Sequence, residues 1–113
     1  MQIDERTVGA VTVLTVSGEI TLNSGGGQVL KEKVASLMRE KRTHLVLELG
    51  GVTYVDSAGL GTIVKCLNVA KTGAGRIKLL NASKNIRELF RITRLETLFE
   101  FFDDENAAVA SFS

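Results

Sequence analysis

Proline is absent from this 113-residue chain, and cysteine and histidine occur once each. Without proline, glycine and asparagine are the remaining chain breakers, and the eleven glycines fall where turns are expected. A lone Cys66 excludes an internal disulfide and a cysteine-rich metal site. A lone His44 argues against a histidine metal centre or a His-driven catalytic relay. Charge of one sign is also lacking: fourteen Lys and Arg against thirteen Asp and Glu leave +1, no electrostatic footprint for nucleic acid. No apolar run approaches the roughly 18 residues of a membrane span. The N-terminus carries Asp4, Glu5 and Arg6, not the basic-then-apolar pattern of a signal peptide. These absences predict a cytoplasmic protein with no membrane insertion, no direct nucleic-acid contact, no metal and no cofactor.

What is present is globular. Hydrophobic residues make up 44%, close to the usual ~45–50%. There is no internal repeat and no low-complexity block. Residues 1–113 have the length of one domain by the prior of ~100–200 residues.

Residues 2–6 and 10–17 read as two strands around a turn at Thr7-Val8-Gly9, the second rich in β-branched Val11, Thr12, Val13, Thr15 and Val16. Gly18-Glu19-Ile20 ends it, and residues 23–27 form a glycine-rich loop signal. From Gln28 to Arg42, Leu30, Val34, Leu37 and Met38 recur at helical spacing. Residues 44–49 are nearly continuous β-formers, as in a strand buried on both faces. Val52-Thr53-Tyr54-Val55 extends that strand or forms a neighbouring segment. Leu60, Ile63, Val64 and Leu67 then mark a second helix to about Lys71, stopped by Thr72-Gly73-Ala74-Gly75. A strand follows over residues 76–80. Asn81 or Ser83 can cap a third helix carrying Ile86, Leu89 and Phe90. Leu95, Leu98, Phe99, Phe101 and Phe102 form a last apolar cluster. Asp103-Asp104-Glu105 suits the positive end of a terminal helix, with Ala107, Ala108, Val109 and Phe112 as its buried side. The alternation predicts an α/β fold: a mixed, mostly parallel sheet of four to five strands with about four helices, the opening pair antiparallel.

The segment Val55-Asp56-Ser57-Ala58-Gly59-Leu60-Gly61 lies where a strand gives way to a helix. One reading is a plain cap. Asp and Ser side chains accept the free N–H groups of a first turn, and Gly59 and Gly61 let the turn approach neighbouring backbone. The other reading uses the same geometry. A helix start tolerates a dianion, so a phosphate on Ser57 would add ~1.5–2 negative charges to an exposed edge and leave the helix intact.

Leu47-Glu48-Leu49, with Val52-Thr53-Tyr54-Val55-Asp56-Ser57-Ala58-Gly59-Leu60-Gly61, resembles the signature of the STAS family (sulfate transporter and anti-sigma factor antagonist domains), nearest the bacterial anti-sigma factor antagonists. Gly18-Glu19-Ile20 is similar to the family's turn after its second strand. Gly73-Ala74-Gly75 matches its later glycine turn, and Leu89-Phe90, Leu95 and Leu98-Phe99 resemble its C-terminal pattern. The likeness spans about residues 8–112. It implies partner switching. The unphosphorylated antagonist binds an anti-sigma factor that is also a serine kinase. The kinase supplies ATP and phosphorylates the serine after the motif's Asp, and a serine phosphatase reverses the step. By position that serine is Ser57. Asp56 would cap the helix and shape the switch loop with Ala58, Gly59, Leu60 and Gly61. Ala58 stands where many relatives carry a second serine. Thr21 stands where relatives usually have Asp, and the glycine-rich segment 23–27 departs from theirs. In the family this region lies near the switch serine, so Glu19, Thr21, Asn23 and Ser24 are candidate partner contacts and the departures bear on partner identity.

The remaining signals are weaker. Gly25-Gly26-Gly27 lacks the Lys-Ser/Thr ending of a P-loop and reads as a loop. Ser57 fails as a hydrolase nucleophile because Val55 holds the first glycine's place in the Gly-x-Ser-x-Gly elbow; no enzyme activity is expected. Lys84, Arg87, Arg91 and Arg94 recur on one helix face, either solvated or steering an acidic partner. Cys66 reads as a small buried hydrophobe. Two functions therefore stand beside each other. One is the phosphorylation-controlled antagonist. The other is a STAS scaffold or accessory subunit of a stress-sensing complex or of a lipid or solute transport system.

Overall fold

A computed structural model describes residues 1–23 and 26–113. Strand β1 (Gln2–Val8) pairs antiparallel with β2 (Val11–Ile20). The turn between them is Gly9-Ala10, with Gly9 at φ +59. It lies later than the expected Thr7-Val8-Gly9, because the two-residue hairpin needs a positive φ at its first central position and only Gly9 supplies it cheaply. Helix α1 (Gly26–Arg39) leads to β3 (His44–Val55), then come α2 (Ser57–Thr72), β4 (Arg76–Leu80), α3 (Lys84–Ile92), a 3-10 turn (Glu96–Leu98), β5 (Phe101–Phe102) and α4 (Glu105–Ala110). The strand order is β1-β2-β3-β4-β5, parallel from β2 onward. The expected mixed, mostly parallel α/β sheet is present, with five strands and four α-helices among the described residues. Residues 52–55 belong to β3 itself and are not a separate segment.

Strand alternation sorts the core into two layers. Leu14, Val16, Leu45, Leu47, Leu49, Ile77 and Leu79 face Leu30, Val34 and Leu37 of α1, Leu60, Ile63, Cys66, Leu67 and Ala70 of α2, and Ile86 and Phe90 of α3. On the reverse face Val11, Val13, Val46 and Leu80 lie under Ala108 and Phe112. The central strand is thus buried on both sides, as its continuous apolar run predicts. The terminal helix buries only Ala108, with Phe112 just beyond it. Ala107 is exposed and Val109 half-buried, because six residues make too short a helix to turn four neighbours inward.

Three helices end in the same way. Arg42 N–H donates to Leu37 O and Lys41 N–H to Met38 O after α1; Gly75 to Ala70 O and Ala74 to Lys71 O after α2; Leu95 to Phe90 O and Arg94 to Arg91 O after α3. This is the Schellman pattern, and its left-handed residue is normally glycine. Here Lys41 (φ 63), Ala74 (φ 61) and Arg94 (φ 61) occupy it. The closure explains why α1 stops at Arg39 instead of Arg42. It also takes Arg94 off the α3 face it was expected to share with Lys84, Arg87 and Arg91. Gly73 and Gly75 flank the left-handed residue. They serve packing instead: a Cβ there would meet Met38 side-chain atoms at 2.9 and 2.7 Å.

Candidate functional site

The end of β3 and the start of α2 build the site. Asp56 is the N-cap of α2, with extended backbone at φ −91 and ψ −178. Its Oδ1 accepts from the Gly59 N–H at 2.7 Å and its Oδ2 from the Leu22 N–H at 3.1 Å. One carboxylate therefore ties the first turn of α2 to the segment following β2. Hydrogen bonds from Gly59 first, then from Leu22, hold the Asp56 carboxyl below the usual aspartate range, because each N–H favours the charged form. A backbone contact joins the same elements: Asp56 N–H donates to Ile20 O at 3.4 Å.

Gly59 is the steric requirement of this junction. A Cβ there would stand 1.8 Å from the Ile20 carbonyl oxygen. Gly61, expected to share that role, has open space around its Cβ direction. Leu60 is buried and anchors the helix from below. Of the switch-loop residues, Gly59 and Leu60 are thus structural, Gly61 is half-buried, and Ser57 and Ala58 are exposed.

Ser57 is the first residue of α2. Its hydroxyl stands at the positive end of a 16-residue helix whose cap is already supplied by Asp56. The cap therefore falls on Asp56, and the Ser57 hydroxyl is not the capping group.

The candidate partner contacts are partly gathered here. Thr21 and Ala58 line one shallow cleft of about 200 Å³ with Leu22, Gly27, Gln28 and Thr62. Glu19 is exposed and lies opposite Tyr54 in the β2–β3 register. Asn23 is exposed, and Ser24 lies outside the described residues. Two residues escaped the sequence reading: Leu22, 76% exposed, and Tyr54, 57% exposed. Both are large apolar side chains left in solvent beside Asp56 in chain or hydrogen bonding. A Leu following the strand and an aromatic two residues before Asp56 were the available signals.

The other candidates carry no chemistry. Burial pushes the Cys66 thiol up to about 12, far from a reactive thiolate. Arg87 pairs with Asp103 at 2.9 Å and Arg91 with Glu88, so two of the three basic residues left on the α3 face are neutralised locally. Among the described residues no group of three or more His, Cys, Asp and Glu is placed to hold a metal ion. No described helix is long and apolar enough to cross a membrane.

The model of the STAS domain matches residues 2–108. The chain belongs to the STAS domain family. This STAS domain is 36% identical over 87 residues to an anti-sigma-B factor antagonist of Bacillus subtilis, covering 77% of each chain. Among solved structures, an anti-sigma factor antagonist from Mycobacterium paratuberculosis superposes with a TM-score of 0.82 at 19% identity, over 97% of this chain and 92% of that one. The Bacillus cell fate determinant SpoIIAA in its phosphorylated form does so with a TM-score of 0.76 at 19% identity, over 99% and 100%. The two structures support the fold. The Bacillus subtilis relative is a regulatory protein by its name.

Proposed function

We propose that this STAS domain, residues 1–113 acting as one unit, is an anti-sigma factor antagonist that works by partner switching at Ser57. With a free hydroxyl it binds an anti-sigma factor that is also a serine kinase. The kinase transfers the γ-phosphoryl group of its ATP to Ser57 Oγ; the hydroxyl proton passes to a base on the kinase and ADP leaves. A serine phosphatase hydrolyses the ester and restores the first state. The domain itself catalyses nothing and acts in the cytoplasm without touching nucleic acid.

One observation carries this reading: Ser57 is exposed at the first position of a helix whose cap, steric clearance and buried anchor come from Asp56, Gly59 and Leu60. A phosphate there adds ~1.5–2 negative charges at a helix end that favours them. Its cost falls on the partner. Leu22 and Tyr54 offer apolar area for the unphosphorylated complex, with Glu19, Thr21, Asn23 and Ser24 as its polar contacts. A dianion on Ser57 must be desolvated or left unpaired in that complex, which disfavours the bound state.

Affinity capture from native cytoplasm with wild type and Ser57→Asp, read by mass spectrometry, tests this. The expected result is an ATP-binding serine kinase on wild type only, with phosphate on Ser57 of a fraction of the wild-type bait. Equal capture by both forms overturns the switch. Permease, lipid-carrier or sister STAS subunits on both forms would put the scaffold reading in its place.

A further inference from the structure

The far end of α2 holds a second feature, unrelated to Ser57. Strand β5 is two residues long and pairs only with Leu79 and Leu80. The first half of β4 therefore has a neighbour on its β3 side alone. Hydrogen bonds show which groups point outward. Arg76 N–H donates to Thr43 O on the β3 side, whereas Leu79 and Asn81 donate to Glu100 O and Phe102 O on the β5 side. Alternation then turns the N–H and C=O of Ile77 toward the open edge. The chain that could meet them is taken up in the 3-10 turn Glu96–Leu98.

A cleft of about 170 Å³ opens at that edge, lined by Leu67, Lys71, Ile77, Lys78, Leu98 and Glu100 among others. Its walls are mainly apolar, and Leu98 remains 44% exposed at its rim. A void of about 150 Å³ is enough to hold a benzene ring, so one Leu- or Phe-sized side chain fits. The charges around it are unequal. Glu100 is spent on Lys78 at 3.0 Å, and Arg76 adds a further cation beside Phe112. Lys71 is exposed, and no carboxylate among the described residues pairs with it.

We propose that this edge is a docking site for an extended acidic segment of a partner protein bearing one large apolar side chain. The segment would continue the line of β5 backward along β4. Its backbone would pair with the N–H and C=O of Ile77, its apolar side chain would fill the cleft, and its carboxylate would meet Lys71. Strand addition takes affinity from main-chain bonds and selectivity from the pocket. Ser57 and Lys71 stand about 21 Å apart along the helix at ~1.5 Å per residue. A partner held here would thus stay bound whether or not Ser57 carries phosphate, and the inference does not depend on the switch.

The test is a chemical-shift titration of the isotope-labelled full chain with three capped pentapeptide probes: Asp-Asp-Leu-Asp-Asp, Asp-Asp-Ser-Asp-Asp and Lys-Lys-Leu-Lys-Lys. The expected result is a saturable shift of the Ile77, Lys78 and Leu98 amides with the first probe only, leaving the Ser57 amide unmoved. Lys71→Glu, a surface change with an unaltered spectrum elsewhere, should weaken that binding about fivefold, as loss of one exposed ion pair allows. Equal response to the basic probe, no saturation, or identical binding by Lys71→Glu overturns the proposal. Concentration-dependent association of the chain in sedimentation, with the same amides shifting, would also overturn it by assigning the edge to a second copy.

Discussion

Alanine at position 59 would place its Cβ 1.8 Å from the Ile20 carbonyl oxygen and 2.7 Å from the carbonyl carbon. The contact must open by about 1.6 Å to reach ordinary separation at 3.4 Å. Nothing at the far end of a flexible side chain can absorb this, because the obstacle is backbone at the end of β2. Overpacking of this kind costs about 1–3 kcal/mol. The Asp56 N–H to Ile20 O bond would be lost with the displacement, at about 1 kcal/mol. Alanine's helix propensity returns at most about 1 kcal/mol. Gly59→Ala should therefore destabilise by about 2 kcal/mol. Gly61→Ala is the control within the same helix: its Cβ enters open space, so only the propensity gain of up to about 1 kcal/mol remains. At ~3–6 °C per kcal/mol for a domain of this size, the two variants should differ in Tm by about 10 °C, with opposite signs about wild type. Thermal and urea unfolding followed by circular dichroism measure both. Shifts in the same direction, or a Gly59→Ala protein as stable as wild type, would refute the claim that helix entry is set by backbone clearance at this glycine.

Ser57→Asp should leave Tm within about 2 °C of wild type, since an acid in a first turn is favourable, and circular dichroism would expose any larger loss. Ala74→Gly should stabilise by about 0.5–1 kcal/mol in urea unfolding, because an L-residue in the left-handed conformation costs about 1–2 kcal/mol and glycine's added unfolded-state entropy offsets part of that. The depressed Asp56 carboxyl contributes stability that is present above the usual aspartate range and lost as pH falls through its lower folded value. The amide shifts of Gly59 and Leu22 should therefore titrate together, at a pH below that of an unperturbed aspartate; separate midpoints would break the shared-acceptor assignment. Native Cys66 should resist thiol alkylation at neutral pH and react promptly in denaturant, as a buried thiol with its pKa pushed up to about 12 requires.

Periodicity carried most of the architecture, because burial and backbone geometry repeat along the chain. The apolar run at residues 44–49 marked a strand covered on both faces, and Leu60, Ile63 and Leu67 marked the inner side of α2. Asp56 was legible as a cap, and Ser83 as one of two candidates beside Asn81, because capping is a local contact; it is Ser83 that accepts from Ile86 N–H, at 3.2 Å. What stayed hidden was set by contacts distant in sequence. The difference between Gly59 and Gly61 depends on where Ile20 ends β2. The second bond of Asp56 depends on Leu22, 34 positions away. The α2 stop at Thr72-Gly73-Ala74-Gly75 was legible from its glycines, whereas the α1 stop was not, because its left-handed residue is Lys41, a type that no local rule would choose. Chain position alone did not decide the exposure of Leu22 and Tyr54, since a side chain at a strand end can be buried or displayed.

The order of strands in space repeats their order along the polypeptide. Such a sheet can grow outward in one direction during synthesis, each new strand finding its neighbour already in place, without waiting for a distant one to close the ladder. The corner that bears Ser57 is built from β2, β3 and α2, all of which precede residue 73 in the chain. The later third of the chain then finishes the β4 side of the sheet and lays α4 over its reverse face. Damage confined to that last third should erode stability well before it erases the shape a modifying enzyme would meet at Ser57.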